Sequence, residues 1–161
     1  MLEIDAEDEA IIDADPAAVS KAVIDEGAGR THWWLPHWQA SPHGDIPPGR
    51  VGSMFDVTVR RGVTVRFTAK VVEINDAGMR IEYVGGAYRG EGTWSFQPEG
   101  GKTRLRFRWR VRPMGWLSWL LRLSPSAARE ARSHHEVMRA GFAGMNRHIN
   151  ALRAHPIQRP E

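Results

Sequence analysis

Between Arg104 and Arg112 the chain alternates without a break. Leu105, Phe107, Trp109 and Val111 take one parity, and Arg104, Arg106, Arg108, Arg110 and Arg112 the other. A period of two predicts a strand with one face in a core and one in water. Residues 2–13 alternate in the same way. Ile4, Ala6, Ala10 and Ile12 oppose Glu3, Asp5, Glu7 and Glu9, with Asp8 the exception on the apolar side. Arginines crowded on one strand face repel one another unless acids lie beside them. The comparable acidic ladder is that of the first strand, so first and last strands are predicted to be antiparallel neighbours with both ladders facing solvent. The competing reading of the arginines is a phosphate-binding surface.

Other segments follow the helical period or the turn code. Asp15-Pro16 opens a short helix to about Glu26, with an N-cap acceptor and a proline at a position that needs no N–H. Thr31–Trp38, with three tryptophans and two histidines, reads as a second short helix or a turn, and a strand follows near Gln39–Ile46. From Pro47 to Pro113, turn sequences such as Arg61-Gly62, Asn75-Asp76-Ala77-Gly78, Gly85-Gly86 and Glu99-Gly100-Gly101 separate alternating runs. This is an antiparallel meander, which brings the count to about seven strands. Met114–Leu121 reads as a short apolar helix or lid. Ser124-Pro125 then opens a helix to about Arg153, roughly 40 Å long at 1.5 Å per residue. Its apolar stripe runs through Ala131, Met138, Phe142, Met145, Ile149 and Leu152. So long an amphipathic helix needs a long apolar surface, and a curved sheet supplies one. The expected class is α+β, a sheet wrapped around a C-terminal helix, with residues 1–154 as a single domain and 155–161 as a tail.

Composition narrows this picture. The 161 residues suffice for one domain with a real core, and 42% apolar and 25% charged residues are ordinary for a globular chain. The absence of cysteine excludes disulfides and thiolate metal sites. The acidic N-terminus does not read as a secretory signal, and Met114–Leu123 is about half a bilayer span. A soluble, cytoplasmic protein is expected. A net charge of +3 and a pI near 9.8 raise nucleic acid as a partner. However, the acids crowd the first 28 residues and the bases dominate from residue 99, a division that self-neutralises on folding. No nucleic-acid partner is expected, and the oligomeric state stays open.

Several local sequences then carry a resemblance. They are Ile12-Asp13-Ala14-Asp15-Pro16, Trp34-Leu35-Pro36, Pro48-Gly49-Arg50-Val51-Gly52-Ser53, Gly92-Thr93-Trp94-Ser95-Phe96 with Thr103-Arg104-Leu105, and Met114-Gly115-Trp116-Leu117. With the order of elements, they make the chain similar, from about residue 3 to 153, to the START-like (SRPBCC, helix-grip) superfamily. The likeness is in particular to its polyketide cyclase/dehydrase and lipid-transport branch. The resemblance implies a helix-grip fold with two short helices after the first strand, and a cavity between sheet and long helix. Members bind sterols, lipids, quinones, hormones or polyketides, and a minority catalyse cyclisation or dehydration. The fold does not choose among these roles, and no cofactor is implied.

Parity and stripe give the candidate ligand-binding residues: Phe55, Phe67, Tyr83, Trp94, Phe107 and Trp109 on the sheet, and His135, Met138 and Phe142 on the helix. Each could equally fill a core. His135, between Ala131 and Met138, and Tyr83 are the candidates for acid–base chemistry, with His134 toward the stripe's edge and Tyr88 a further candidate partner. Trp33, Trp34 and Trp38 either gate the cavity mouth or pin the short helices to the sheet. His32, His37 and His43 match no zinc spacing, so no metal is expected. No nucleophile elbow or phosphate loop is present. Trp116, Trp119 and Leu120 make a membrane contact conceivable, but a lid is the favoured reading. Three functions are therefore carried forward. The first is a carrier or sensor of an apolar molecule, the second a cyclase/dehydratase-type enzyme, and the third a membrane-associated lipid or quinone delivery module.

Overall fold

The alternating segments form one seven-stranded antiparallel sheet. A computed structural model describes residues 2–123 and 127–155. Its elements are β1 (Ile4–Ile12), α1 (Pro16–Gly27), β2 (Trp38–His43), β3 (Met54–Arg61), β4 (Val63–Asn75), β5 (Gly78–Gly86), β6 (Tyr88–Glu99), β7 (Lys102–Pro113), α2 (Gly115–Arg122) and α3 (Ala127–Ala154). The order across the sheet is β1-β7-β6-β5-β4-β3-β2, so the first two strands form opposite edges and α1 lies in the connection between them. The expected Ser124-Pro125 helix start and residues 156–161 of the tail lie outside the described residues.

β1 pairs with β7 as the two ladders required. Asp5 lies opposite Arg110, Glu7 opposite Arg108 and Glu9 opposite Arg106. Arg108 reaches Asp5 at 2.8 Å, while Arg104 and Arg106 reach Glu9 at 3.0 and 2.8 Å. Each such half-exposed pair contributes little stability, but together they remove the repulsion that would oppose this pairing. The inward faces of the same strands carry Ile4, Ile12, Leu105 and Val111, all at most 2% exposed. In β4 the register shifts at Thr68/Ala69 and Val71/Glu73, and past the second bulge Ile74, not Glu73, packs on the core.

Three expectations are corrected. Only one helix precedes β2 among the described residues, because residues 33–37 form a turn. The buried Glu26 carboxylate accepts from Thr31 Oγ1 at 2.6 Å and from the backbone N–H groups of Trp33 and Trp34 at 3.3 and 3.1 Å. Those N–H groups are thereby satisfied without a helical turn. Leu152 is 55% exposed and lies off the buried stripe of α3. Finally, the buried stripe runs through Glu130, His134, Met138, Phe142, Met145 and Ile149, so its N-terminal half is turned relative to the one read from apolar residues alone.

Candidate functional site

A cavity of about 100 Å³ lies between the concave sheet face, α3 and the tryptophan turn. β3 contributes Phe55, Val59 and Arg61, β4 contributes Phe67 and Val71, and β5 contributes Met79, Ile81 and Tyr83. Tyr88 and Trp94 come from β6, Phe107 and Trp109 from β7, and His134, Val137 and Met138 from α3. Gly92 on β6 keeps room in this face, since a Cβ there would meet the Phe107 ring and the Tyr83 hydroxyl. A second, more open groove among Glu3, Glu82, Arg89, Glu91 and Arg110 belongs to the charged outer ladders.

Of the residues selected by sequence, Phe55, Phe67, Tyr83, Trp94, Phe107, Trp109 and Met138 line the cavity. Phe142 and His135 are not among the lining residues. Phe142 is 6% exposed and sits in the core beside the cavity. The His135 side chain is 36% exposed and its Nδ1 lies 2.5 Å from Asp8 Oδ1. The histidine on the cavity wall is His134, which is 9% exposed. Both histidines are within three or four residues of Ala131 and Met138. The phase is set by Glu130, four residues before His134, which is buried because it has partners.

Those partners make a polar network. Tyr88 donates to Glu130 Oε1 at 2.7 Å, and Arg61 Nη2 donates to Tyr88 Oη at 2.6 Å while pairing directly with Glu130. The Arg61 and Glu130 side chains are 9% and 7% exposed, so neither charge could remain there without the other. Burial raises the Tyr88 hydroxyl well above its ordinary pKa. Tyr83 is also raised by burial, against the opposing hydrogen bond from Trp109. Both tyrosines therefore stay protonated at physiological pH and can donate, but neither can act as a base.

His134 stacks on Trp109 with ring centroids 4.2 Å apart and planes 6° apart, and Phe107 lies at 5.9 Å. Its Nδ1 is 3.1 Å from Asp8 Oδ2, off the line of a good hydrogen bond, and neither atom has another partner among the described residues. Desolvation lowers the His134 pKa despite the opposing pull of Asp8, so the ring is neutral at pH 7. Burial would raise Asp8, but its close contacts with His134 and His135 outweigh this and hold the carboxyl low. Asp8, the one acid on the apolar parity of β1, is thus explained by the two histidines it meets on α3. These three residues also bring one ligand atom each within 4.8 Å of the others, an N₂O set that can hold a borderline cation such as zinc.

The tryptophan turn closes one side of the cavity. Trp33, Trp34 and Trp38 stack in sequence, with centroids 5.3 and 4.7 Å apart. Trp34 Nε1 donates to the Val137 carbonyl at 2.8 Å, while Trp33 Nε1 is buried with no partner among the described residues. Gly141 and Gly144 seat this turn on α3. A Cβ at 141 would enter the Trp34 ring, and one at 144 would strike the Trp33 carbonyl. On the outside, α2 buries Leu117 and Leu121 but leaves Trp116 54% and Trp119 65% exposed. Sequence reasoning put His134 only at the stripe's edge and missed Arg61, Glu130 and the two helical glycines. Its usable signals were the misplaced Asp8 and the four-residue step from Glu130 to His134.

A model of the family described as polyketide cyclase/dehydrase and lipid transport matches residues 3–149. Among solved structures, TTHA0849 from Thermus thermophilus superposes with a TM-score of 0.69 and 21% identity, covering 91% of this chain and 97% of its own. Ara h 8.0201 follows at a TM-score of 0.67 and 16% identity, with coverage of 93% and 99%. The KanY protein (ms6282) gives 0.65 and 15%, also with coverage of 93% and 99%. Identities this low speak for the fold alone. No curated protein matches the sequence.

Proposed function

The chain belongs to the polyketide cyclase/dehydrase and lipid-transport family, and from that membership we propose that it binds an apolar small molecule between its sheet and α3, as a carrier or sensor. The observation that supports this reading is the cavity itself. Its wall is almost wholly aliphatic and aromatic, and its cation Arg61 is already neutralised inside the protein. Such a wall stabilises an apolar ligand by removing its surface from water, while a few polar groups fix its orientation.

Two other readings have specific support. A cyclase/dehydratase-type enzyme would draw on His134, oriented by Asp8, as base and on the Tyr83 hydroxyl as donor, since both line the same cavity or its wall. A membrane-associated delivery module would draw on the exposed Trp116 and Trp119, although no helix among the described residues is long and apolar enough to cross a membrane.

Native mass spectrometry of the protein purified from its own host, followed by solvent extraction, tests the carrier reading. One equivalent of an apolar compound is expected on the wild type and none on Val59→Phe, which fills the cavity from β3. A clean unliganded mass would remove the carrier reading and leave transient substrate binding.

A further inference from the structure

Most polar groups on the cavity wall are engaged by the protein. Glu26 holds the tryptophan turn, Ser53 donates to the Arg50 carbonyl at 2.7 Å, and Arg61 and Tyr88 are bound to Glu130. His134 differs. Its ring makes no aligned hydrogen bond to any described residue, although Nδ1 lies 3.1 Å from the Asp8 carboxylate. A carboxylate at that distance draws the single imidazole proton to Nδ1, as in any carboxylate-oriented histidine. Nε2, on a ring that lines the cavity, is then the acceptor.

We propose that His134, oriented by Asp8, is the recognition point for a neutral hydroxyl on a ring-sized aromatic ligand, which donates its O–H to Nε2. The proposal rests on the reading of the cavity as a ligand site. Three observations select this chemical class. Trp33 Nε1 and the Tyr83 hydroxyl offer donors on this wall and His134 the acceptor, and an acceptor calls for a donor on the ligand. Among the described residues the wall has no free cation for an anionic head group, because Arg61 is paired with Glu130, and the nearby Asp8 and Glu26 would repel one. The space, about 100 Å³, is smaller than the roughly 150 Å³ of a cavity that takes up benzene, so it limits the ligand to a single ring. The faces of Trp109 and Phe107 beside His134 suit such a ring.

Three probes of one shape separate the terms: 4-ethylphenol, ethylbenzene and 4-ethylbenzoate. They are titrated into the full chain at neutral pH with EDTA present and followed by NMR shift changes. The phenol is expected to bind roughly tenfold tighter than ethylbenzene, the equivalent of one buried hydrogen bond, and the benzoate weakest. His134→Phe should level phenol and ethylbenzene while retaining the latter. Asp8→Asn, which removes the charge that fixes the tautomer, should reduce the phenol preference without loss of ethylbenzene binding. Equal binding of phenol and ethylbenzene by the wild type would overturn the role of His134 and leave the cavity reading standing. No binding of any probe would remove the cavity reading too. Preference for the benzoate would replace the proposal with an anion site. A phenol preference seen only when zinc replaces EDTA would replace it with a metal centre.

Discussion

His134 and His135 are adjacent in sequence and both meet Asp8, yet they differ in burial. One is sealed against Trp109 and the other is a third exposed. The buried ring has a pH signature. Its folded-state pKa lies below the ordinary 6.5 because burial disfavours the imidazolium. The unfolded chain therefore takes up this proton first, and the associated stability is complete above about pH 6.5 and lost as pH falls through the folded value. Carboxylates follow lower down. The pKa values of Asp5, Asp25 and Asp56 are held below 3.8, so their stabilisation is present above that value and disappears beneath it. Melting curves of the wild type should begin to fall on the acid side of pH 6.5, whereas His134→Phe should stay flat until the carboxylates titrate. Parallel curves would show that His134 is not buried as a neutral ring. The sequence placed a histidine in this neighbourhood but chose the wrong one. An apolar count skips Glu130, and only the contact with Arg61 and Tyr88 makes that acid an inward residue.

At the level of elements, α3 and the β1–β7 pair show opposite kinds of legibility. The ladders of β1 and β7 were readable because charge repulsion on one strand has few remedies. Glu9→Lys should therefore destabilise by about 1 kcal/mol, and adding Arg106→Glu should recover part of the loss. Urea midpoints of the two single variants and the double variant measure the coupling, and simple additivity would count against the ladder argument. In α3 the glycines at 141 and 144 read as helix defects, for Gly→Ala within a helix ordinarily gains about 1 kcal/mol. Here the sign should reverse. Gly141→Ala drives a methyl into the Trp34 ring that donates to the Val137 carbonyl, and a loss of roughly 1–3 kcal/mol is expected. A Gly141→Ala protein with a raised melting temperature would mean that the tryptophan turn does not sit tightly on the helix.

For the molecule as a whole, the cavity sets stability against binding. A wall that leaves about 100 Å³ unfilled forgoes contacts that a packed core would have, so Val59→Phe should hold or raise the melting temperature as it removes the ligand. Thermal shift on ligand-free protein checks this, and a large loss would show that the space is too small or misplaced for a phenyl ring. Sequence by itself determined the strand count, the antiparallel meander, the union of the first and last strands, and the parity of Phe67, Tyr83, Trp94, Phe107 and Trp109. Those features follow from local periodicity and from charges that must be neutralised, and both are written along the chain. Tertiary structure alone decided that residues 33–37 turn rather than coil, that His134 replaces His135 on the wall, and that Glu130 is buried and the Asp8 and Arg61 side chains largely so. Each depends on a partner far away in sequence: Asp8 on α3, Arg61 with Glu130, and the tryptophan turn on two glycines. A polar group's burial is set by the partner that satisfies it, and periodicity along one segment carries no record of that partner.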